Sequence, residues 1–355
     1  MRRHRQRPEF IASAYLSGSL WIVEACEAFV RVYLKPFPVT KSQAAPLFYS
    51  SSHARQEREF PMRHHRICLI TACLLISANY LAALPTHTWV GPNGSDANVG
   101  TPQSPYADFA TAVANTAAGG TVSVMGPGDY GPVTITQSIT IDGTGGGSIN
   151  FAGDGEGIYV SPGSNANIVL RNLSVDGGGT GSDAIFVASS GTTNIVNVVI
   201  DGCLISGFTQ LGVGLGSESP MYVTVKNTTI QGGTIGLRTF QSSGGVVYDH
   251  VQLDHVDIQG ASSAGVFTRN GNVDILNSTI SGNVGTNTNG IEADTNATLN
   301  VQHSMITSNT NGACIYSGST AIIGTTTTMA DNGSNLSPCG GSITGNAGPG
   351  PAPRP

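Results

Sequence analysis

Basic residues almost vanish after position 84. From there on the chain has five Lys and Arg against 17 Asp and Glu, a net charge of −12, while the whole chain carries only −6. A surface this acidic argues against nucleic acid, anionic lipid and bare polyanionic polysaccharide as partners. Charge is scarce in general, at 11% of residues, and aromatics make up 6%. Glycine is abundant (47 residues) without a strict three-residue period, which excludes collagen. No helical crossover segments separate the apolar stretches, so a doubly wound α/β fold is not expected. No cysteine or histidine spacing resembles a zinc site. What remains is rich in Asn, Thr, Ser, Val and Ile, a composition that suits an all-β chain with many tight turns.

The chain starts differently from the way it continues. Residues 1–61 are rich in Arg and aromatics and share nothing with the rest, and are read as an upstream extension. "MRHHRICLITACLLISANYLAALP" (62–84) has a basic start at Arg63 and Arg66, an apolar run, and Ala82 and Ala83 before Pro85. That is the layout of a secretory signal peptide, with Met62 as the start. The rival is a signal anchor, which 67–84 is barely long enough to form. The expected product is an exported protein of 85–346 with a disordered Pro/Gly tail at 347–355 and no stable membrane insertion after cleavage. Three cysteines remain in it, Cys203, Cys314 and Cys339. They allow one disulfide, and Cys314 with Cys339 is the plausible pair.

"VDILNSTISGN" (273–283) has relatives throughout: "IVLRNLSVDGG", "VVIDGCLISGF", "VTVKNTTIQGG", "VQLDHVDIQGA" and "LNVQHSMITSN". Aligned on one corner column they give Asn172, Gly202, Asn227, His255, Asn277 and His303, at spacings of 30, 25, 28, 22 and 26. Before that column apolar residues alternate with mostly polar ones, as in Val223 and Val225 around Thr224, the mark of a half-buried strand. A second register reads "GIYV", "AIFV", "GVGL", "GLRT", "GVFT", "GIEA" and "GACI", beginning at 157, 184, 212, 236, 265, 290 and 312. A third short strand carries Val175, Ile205, Ile230, Ile258, Ile280 and Ile306. Each unit holds about three short strands and cannot bury its apolar face alone, so the units must stack into a continuous core. They are too short for propeller blades.

The repeat "G-[IV]-x-[VA]…V-x-[IV]-x-N-x-x-I-x-G" resembles the right-handed parallel β-helix, or pectin-lyase-like, superfamily. The segment 104–143, "SPYADFATAVANTAAGGTVSVMGPGDYGPVTITQSITIDG", resembles the N-terminal part of secreted bacterial β-helix repeat proteins. The resemblance covers roughly 86–346 and implies an all-β solenoid of about eight coils. A short N-terminal helix, with Phe109, Ala112, Val113 and Ala117 on one face, would cap it, and "PGDYGPVTI" would begin the coils. Members range from lyases, hydrolases and esterases to proteins with no known activity, so the fold alone does not assign chemistry.

One outward column of the second register reads Tyr159, Phe186, Gly214, Arg238, Phe267, Glu292, Cys314. Its neighbour reads Ser161, Ala188, Gly216, Phe240, Arg269, Asp294, Tyr316. The expected ligand face is therefore Tyr159, Phe186, Arg238, Phe240, Phe267, Arg269, Glu292 and Asp294. Rings stack on the C–H faces of sugars, and charged groups bond their hydroxyls. The bland alternative makes Arg269 and Asp294 a surface ion pair and leaves the rings as surface packing. If the protein is an enzyme, Arg238, Arg269, Glu292 and Asp294 are the catalytic candidates, with Glu292 and Asp294 as a carboxylate pair. The motifs of the superfamily's galacturonases and pectin methylesterases are absent; Arg238 or Arg269 could imitate the arginine base of its lyases, but no calcium-ligand cluster accompanies them. "YDHVQLDHVDI" (248–258) loosely resembles a pectate-lyase segment but reads better as a turn, and "GGTGSDAIF" (178–186) is a single, isolated copy of a calcium nonapeptide pattern. No cofactor or metal is expected; calcium is the one ion the resemblance leaves open. The expectation is a secreted, non-catalytic structural or glycan-binding protein. Polysaccharide lyase or glycoside hydrolase is the rival, and a surface adhesin the third reading.

Overall fold

A computed structural model describes residues 83–189, 194–241, 249–337 and 339–345. The upstream extension, the leader apart from its last two residues, and the tail lie outside the described residues. The described chain is a parallel β-solenoid with almost no helix. Three sheets of 11, nine and nine strands run along it. We call them the broad sheet, from His87–Val90 to Ser342–Gly345, the middle sheet, from Val133–Ile135 to Ser334–Ser337, and the short sheet, from Gly128–Asp129 to Thr328–Ala330. One coil visits each in turn: Ala166–Arg171 in the broad sheet, Ser174–Gly181 in the short sheet, Asp183–Ser189 in the middle sheet, then Val196–Asp201 back in the broad sheet. Among the described residues no helix is long and apolar enough to cross a membrane.

The aligned corner column is a column of left-handed turns. Asn172, Gly202, Asn227, His255, Asn277 and His303 have φ between 49° and 66°. Asn tolerates this region better than most residues, and Gly pays no Cβ penalty there. His255 and His303 are thus corner residues. The next residue turns inward, and Leu173, Cys203, Thr228, Val256, Ser278 and Ser304 are all buried. The glycine near the start of most middle-sheet strands has a different cause. A Cβ on Gly236 would lie 2.4 Å from Ile258 Cγ2 and 2.6 Å from the Gly265 carbonyl, and one on Gly265 would meet Ile280 and the Gly290 carbonyl in the same way. The repeat keeps glycine there because the short sheet and the next coil press against the same spot.

The interior is a set of stacks. Ile158, Ile185, Val213, Leu237, Val266, Ile291 and Ala313 are fully buried, all at Cα-paired positions running coil to coil. Each large aliphatic side chain buried in this way stabilises the fold by about 1.5–3 kcal/mol. Polar stacks are inside as well. Asn283, Asn309 and Asn332 form a ladder: Asn283 Nδ2 donates to Asn309 Oδ1 at 2.9 Å, and Asn309 Nδ2 donates to Asn332 Oδ1 at 3.0 Å. The same oxygens accept the backbone N–H groups of Asn283 and Asn309.

Two expectations need correcting at the first coils. The helix spans Phe109–Ala114, with Asp108 Oδ1 accepting from the Thr111 amide at its start and Asn115 ending it. Phe109, Ala112 and Val113 are buried against their neighbours, but Ala117 lies beyond the helix. Its expected place belongs to Thr116, fully buried, whose hydroxyl bonds to the Ala112 carbonyl and to Thr88. The coils also begin before "PGDYGPVTI", because His87–Val90 already pairs in parallel with Gly120–Val124. Four residues of alternation are too few to read as a strand in isolation.

Candidate functional site

The outward column of the middle sheet is in register coil by coil: Tyr159 with Phe186, Phe186 with Gly214, Gly214 with Arg238, Arg238 with Phe267, Phe267 with Glu292, and Glu292 with Cys314. The second column brings Gly216 beside Phe240 and Arg269 beside Asp294. All eight expected ligand-face residues therefore lie on one sheet face, each half-buried.

Tyr159 and Phe186 stack with ring centroids 6.2 Å apart and planes 18° from parallel. The Phe186 ring lies over the next coil, where a Cβ on Gly214 or Gly216 would come within 3 Å of it. The two glycines are the floor on which this ring rests. One coil on, the Arg238 guanidinium sits 4.7 Å from the Phe240 ring centroid and 5.8 Å from that of Phe267. Arg238 Nε is shut off from solvent and has no hydrogen-bond partner.

The backbone ladder changes at the same place. Pairing between Ile235–Gln241 and Ala264–Arg269 extends to Arg238 with Phe267 and no further. Past it, the buried Thr239 hydroxyl accepts the Arg269 N–H at 3.1 Å and lies 3.3 Å from the Thr268 hydroxyl. A side chain stands in for a ladder bond beneath the patch.

The carboxylates differ in what they hold. Asp294 is paired with Arg269 at 3.0 Å, the ion pair of the bland alternative. Glu292 Oε2 accepts from Asn289 Nδ2 at 2.8 Å. Burial lifts the Glu292 carboxyl above the ordinary Glu range; the Asn289 bond opposes this and Asp294 adds to it. Two further acids on this sheet escaped the sequence reading, Glu156 and Asp183, which are Cα partners. Burial raises Asp183 above its ordinary value and Glu156 adds to this, while the Leu211 amide and the Arg238 charge act the other way. Asn289 was also missed. Its only signal was its place three residues before Glu292 on the same strand.

The remaining candidates dissolve into structure. Asp249 is buried and His250 exposed, on opposite faces of Asp249–Asp254, so they do not converge on one ion. Asp254 accepts from Asn277 at 2.8 Å and pairs with His255 at 2.8 Å. Tyr248 lies outside the described residues. In the nonapeptide-like stretch, Asp183 Oδ1 accepts the Leu211 N–H at 3.1 Å. Among the described residues no group of three or more His, Cys, Asp or Glu is placed to hold a metal. Cys314 and Cys339 are joined by a disulfide, with Cα atoms 5.6 Å apart, and Cys203 is a buried thiol. Two depressions, of about 410 and 160 Å³, lie on the broad sheet; the smaller is lined by Tyr222, His250, Asn272 and Asp274 among others.

A family model described as "Right handed beta helix region" matches residues 156–328. That match, over just under half of the chain, agrees with the parallel three-sheet coils described above. Among solved structures, the β-helix is similar to pectate lyase Pel9A, with a TM-score of 0.51 at 15% identity over 77% of this chain and 81% of that one. It is also similar to a GH136 lacto-N-biosidase from Eubacterium ramulus, with a TM-score of 0.44 at 9% identity over 80% of this chain and 71% of that one. The likeness to Pel9A, at this identity, is one of fold alone. No curated protein matches the sequence.

Proposed function

We propose that this β-helix is an exported, non-catalytic glycan-binding protein whose ligand lies on the outer face of the middle sheet. The observation that carries the reading is the row formed by the Tyr159–Phe186 stack and by Arg238 held between Phe240 and Phe267. Rings and a fixed guanidinium together match the two faces of a sugar, its C–H surface and its hydroxyls. Export is inferred from the signal-like segment 62–84 and fits the disulfide. The helix Phe109–Ala114 is read as the plug of the core at its N-terminal end, as solenoid ends require.

The second reading is a polysaccharide-cleaving enzyme. Its support is the raised Glu292 carboxyl with a second carboxyl, Asp294, on the same strand. Against it, Asp294 is already paired with Arg269. One assay separates the two. Purified protein and the Arg238→Ala/Glu292→Ala double variant are incubated with neutral and acidic polysaccharides, with and without calcium, and bound fraction and new chain ends are recorded. Binding without new ends, lost in the double variant, is expected. New ends that vanish in the variant make the protein an enzyme. Absence of both leaves a scaffold.

A further inference from the structure

Arg238 is set apart from every other cation of the described chain. Arg171, Lys226 and Arg269 each have a carboxylate partner, at 2.8, 3.2 and 3.0 Å. Arg238 has none within ion-pair distance among the described residues; two rings hold it instead. Its Nε has lost water without gaining an acceptor. Nε itself is closed to solvent, so an incoming acceptor meets the η edge of the guanidinium. A guanidinium fixed in orientation between two rings presents that edge to an oxyanion in two-pronged fashion.

The surroundings set the opposite requirement. In coil order, Glu156 and Asp183 lie on the coils of Tyr159 and Phe186, to one side of Arg238, and Glu292 and Asp294 lie two coils beyond it on the other. Coils are spaced by ~4.8 Å, so a sugar chain laid along the column advances roughly one unit per coil. A polymer with a carboxylate on every unit that placed one at Arg238 would bring the carboxylates further along it, beyond the adjacent coils of Gly214 and Phe267, against these acids, on a domain whose net charge is already −12.

We propose that Arg238 receives one isolated anionic group on an otherwise neutral glycan, and that the same face refuses an evenly charged polyuronate. This rests on the reading that the middle sheet binds a glycan and deepens it.

The test uses the full chain and follows the Arg Nε–H signals by ¹⁵N–¹H NMR, with the Arg238 signal assigned by its loss in Arg238→Gln. Methyl glucuronoside is expected to shift that signal in a saturable way, while methyl glucoside and sodium chloride at equal ionic strength leave it in place. In parallel, three polymers are compared: a xylan bearing sparse glucuronate groups, the same xylan after carboxyl reduction, and polygalacturonate. The substituted xylan is expected to bind at least tenfold more tightly than either of the others. Arg238→Gln is expected to erase that preference, and Arg238→Lys, which keeps the charge but loses the fork, to reduce it. An unmoved Arg238 signal, or polygalacturonate held as tightly as the substituted xylan, overturns the proposal. Equal binding of the two xylans overturns it while leaving the glycan reading intact. Failure of every glycan to bind removes both.

Discussion

The corner of the broad sheet and the outer face of the middle sheet use the same residue types to opposite ends. At the corner, Asp142, Arg171, Asp201, Lys226 and Asp254 follow one another on successive coils, alternating in sign. Each is engaged: Arg171 with Asp142 at 2.8 Å, Lys226 with Asp201 at 3.2 Å, and Asn227 and Asn277 donating back to Asp201 and Asp254. On the middle sheet Arg238 has no acidic partner within ion-pair distance among the described residues, and burial raises Asp183 and Glu292 above their ordinary pKa. Charge at the corner ties one coil to the next. On the face Arg269 and Asp294 pair with each other, and it is Arg238 that is left without a carboxylate among the described residues.

The largest expected effect lies inside, where the tying is strictest. Asn309→Ala leaves the Asn283 amide groups and the Ile280 carbonyl without their partners and should cost about 3 kcal/mol. A urea midpoint shift corresponding to less than about 1 kcal/mol would sink the ladder account.

At the corner, Asn227→Ala forfeits both the left-handed turn (φ 50°) and the bond to Asp201 at 2.9 Å, a loss of about 2 kcal/mol. Asn227→Gly restores the turn and should recover about half of it. On the face, Arg238→Gln should change stability by about 1 kcal/mol or less. If Arg238→Gln proves as damaging as Asn227→Ala, the contrast between the two regions fails.

Acid titration should split the regions by sign. Asp201 is lowered, chiefly by its Asn227 bond. Its contribution is therefore present above the ordinary Asp value of 3.8 and is lost as pH falls through the lowered folded value. Glu292 is raised, so its ionised form weighs against the fold at neutral pH, and that weight is relieved on acidification. Asp201→Asn should melt earlier at neutral pH and lose less on acidification. Glu292→Gln should melt no earlier than the wild type at neutral pH. Melting curves across this range check both, and a Glu292→Gln variant that melts clearly earlier at neutral pH contradicts the assignment.

The smallest effect is chemical. Burial pushes the Cys203 thiol up to about 11, so iodoacetamide at mildly alkaline pH should label it only after unfolding. Mass spectra of native and denatured protein decide this.

Much of the fold was legible because the solenoid repeats its demands. A left-handed corner favours Asn or Gly, with His at two coils, and a crowded strand start favours Gly, so both appear as columns. The outward column from Tyr159 to Cys314 was legible for the same reason. Other features were not. Asn283, Asn309 and Asn332 look like turn residues in a chain full of asparagine, although the spacing after Ile280, Ile306 and Met329 is constant. Thr116 in place of Ala117 depended on where the helix stops. Asp183 lay hidden in a glycine-rich stretch that suggested calcium.

The sequence by itself determined that the chain must coil, how long each turn is, and which side chains point outward. Period and turn chemistry are local properties repeated often enough to be read without coordinates. Only the tertiary structure decided which outward charges are engaged and which are free. That depends on the rotamer and neighbour of each side chain across a gap of some 25 residues of sequence. It is why Arg269 and Arg238, near-equivalent as letters in adjacent columns, end as a paired charge and an unpaired one.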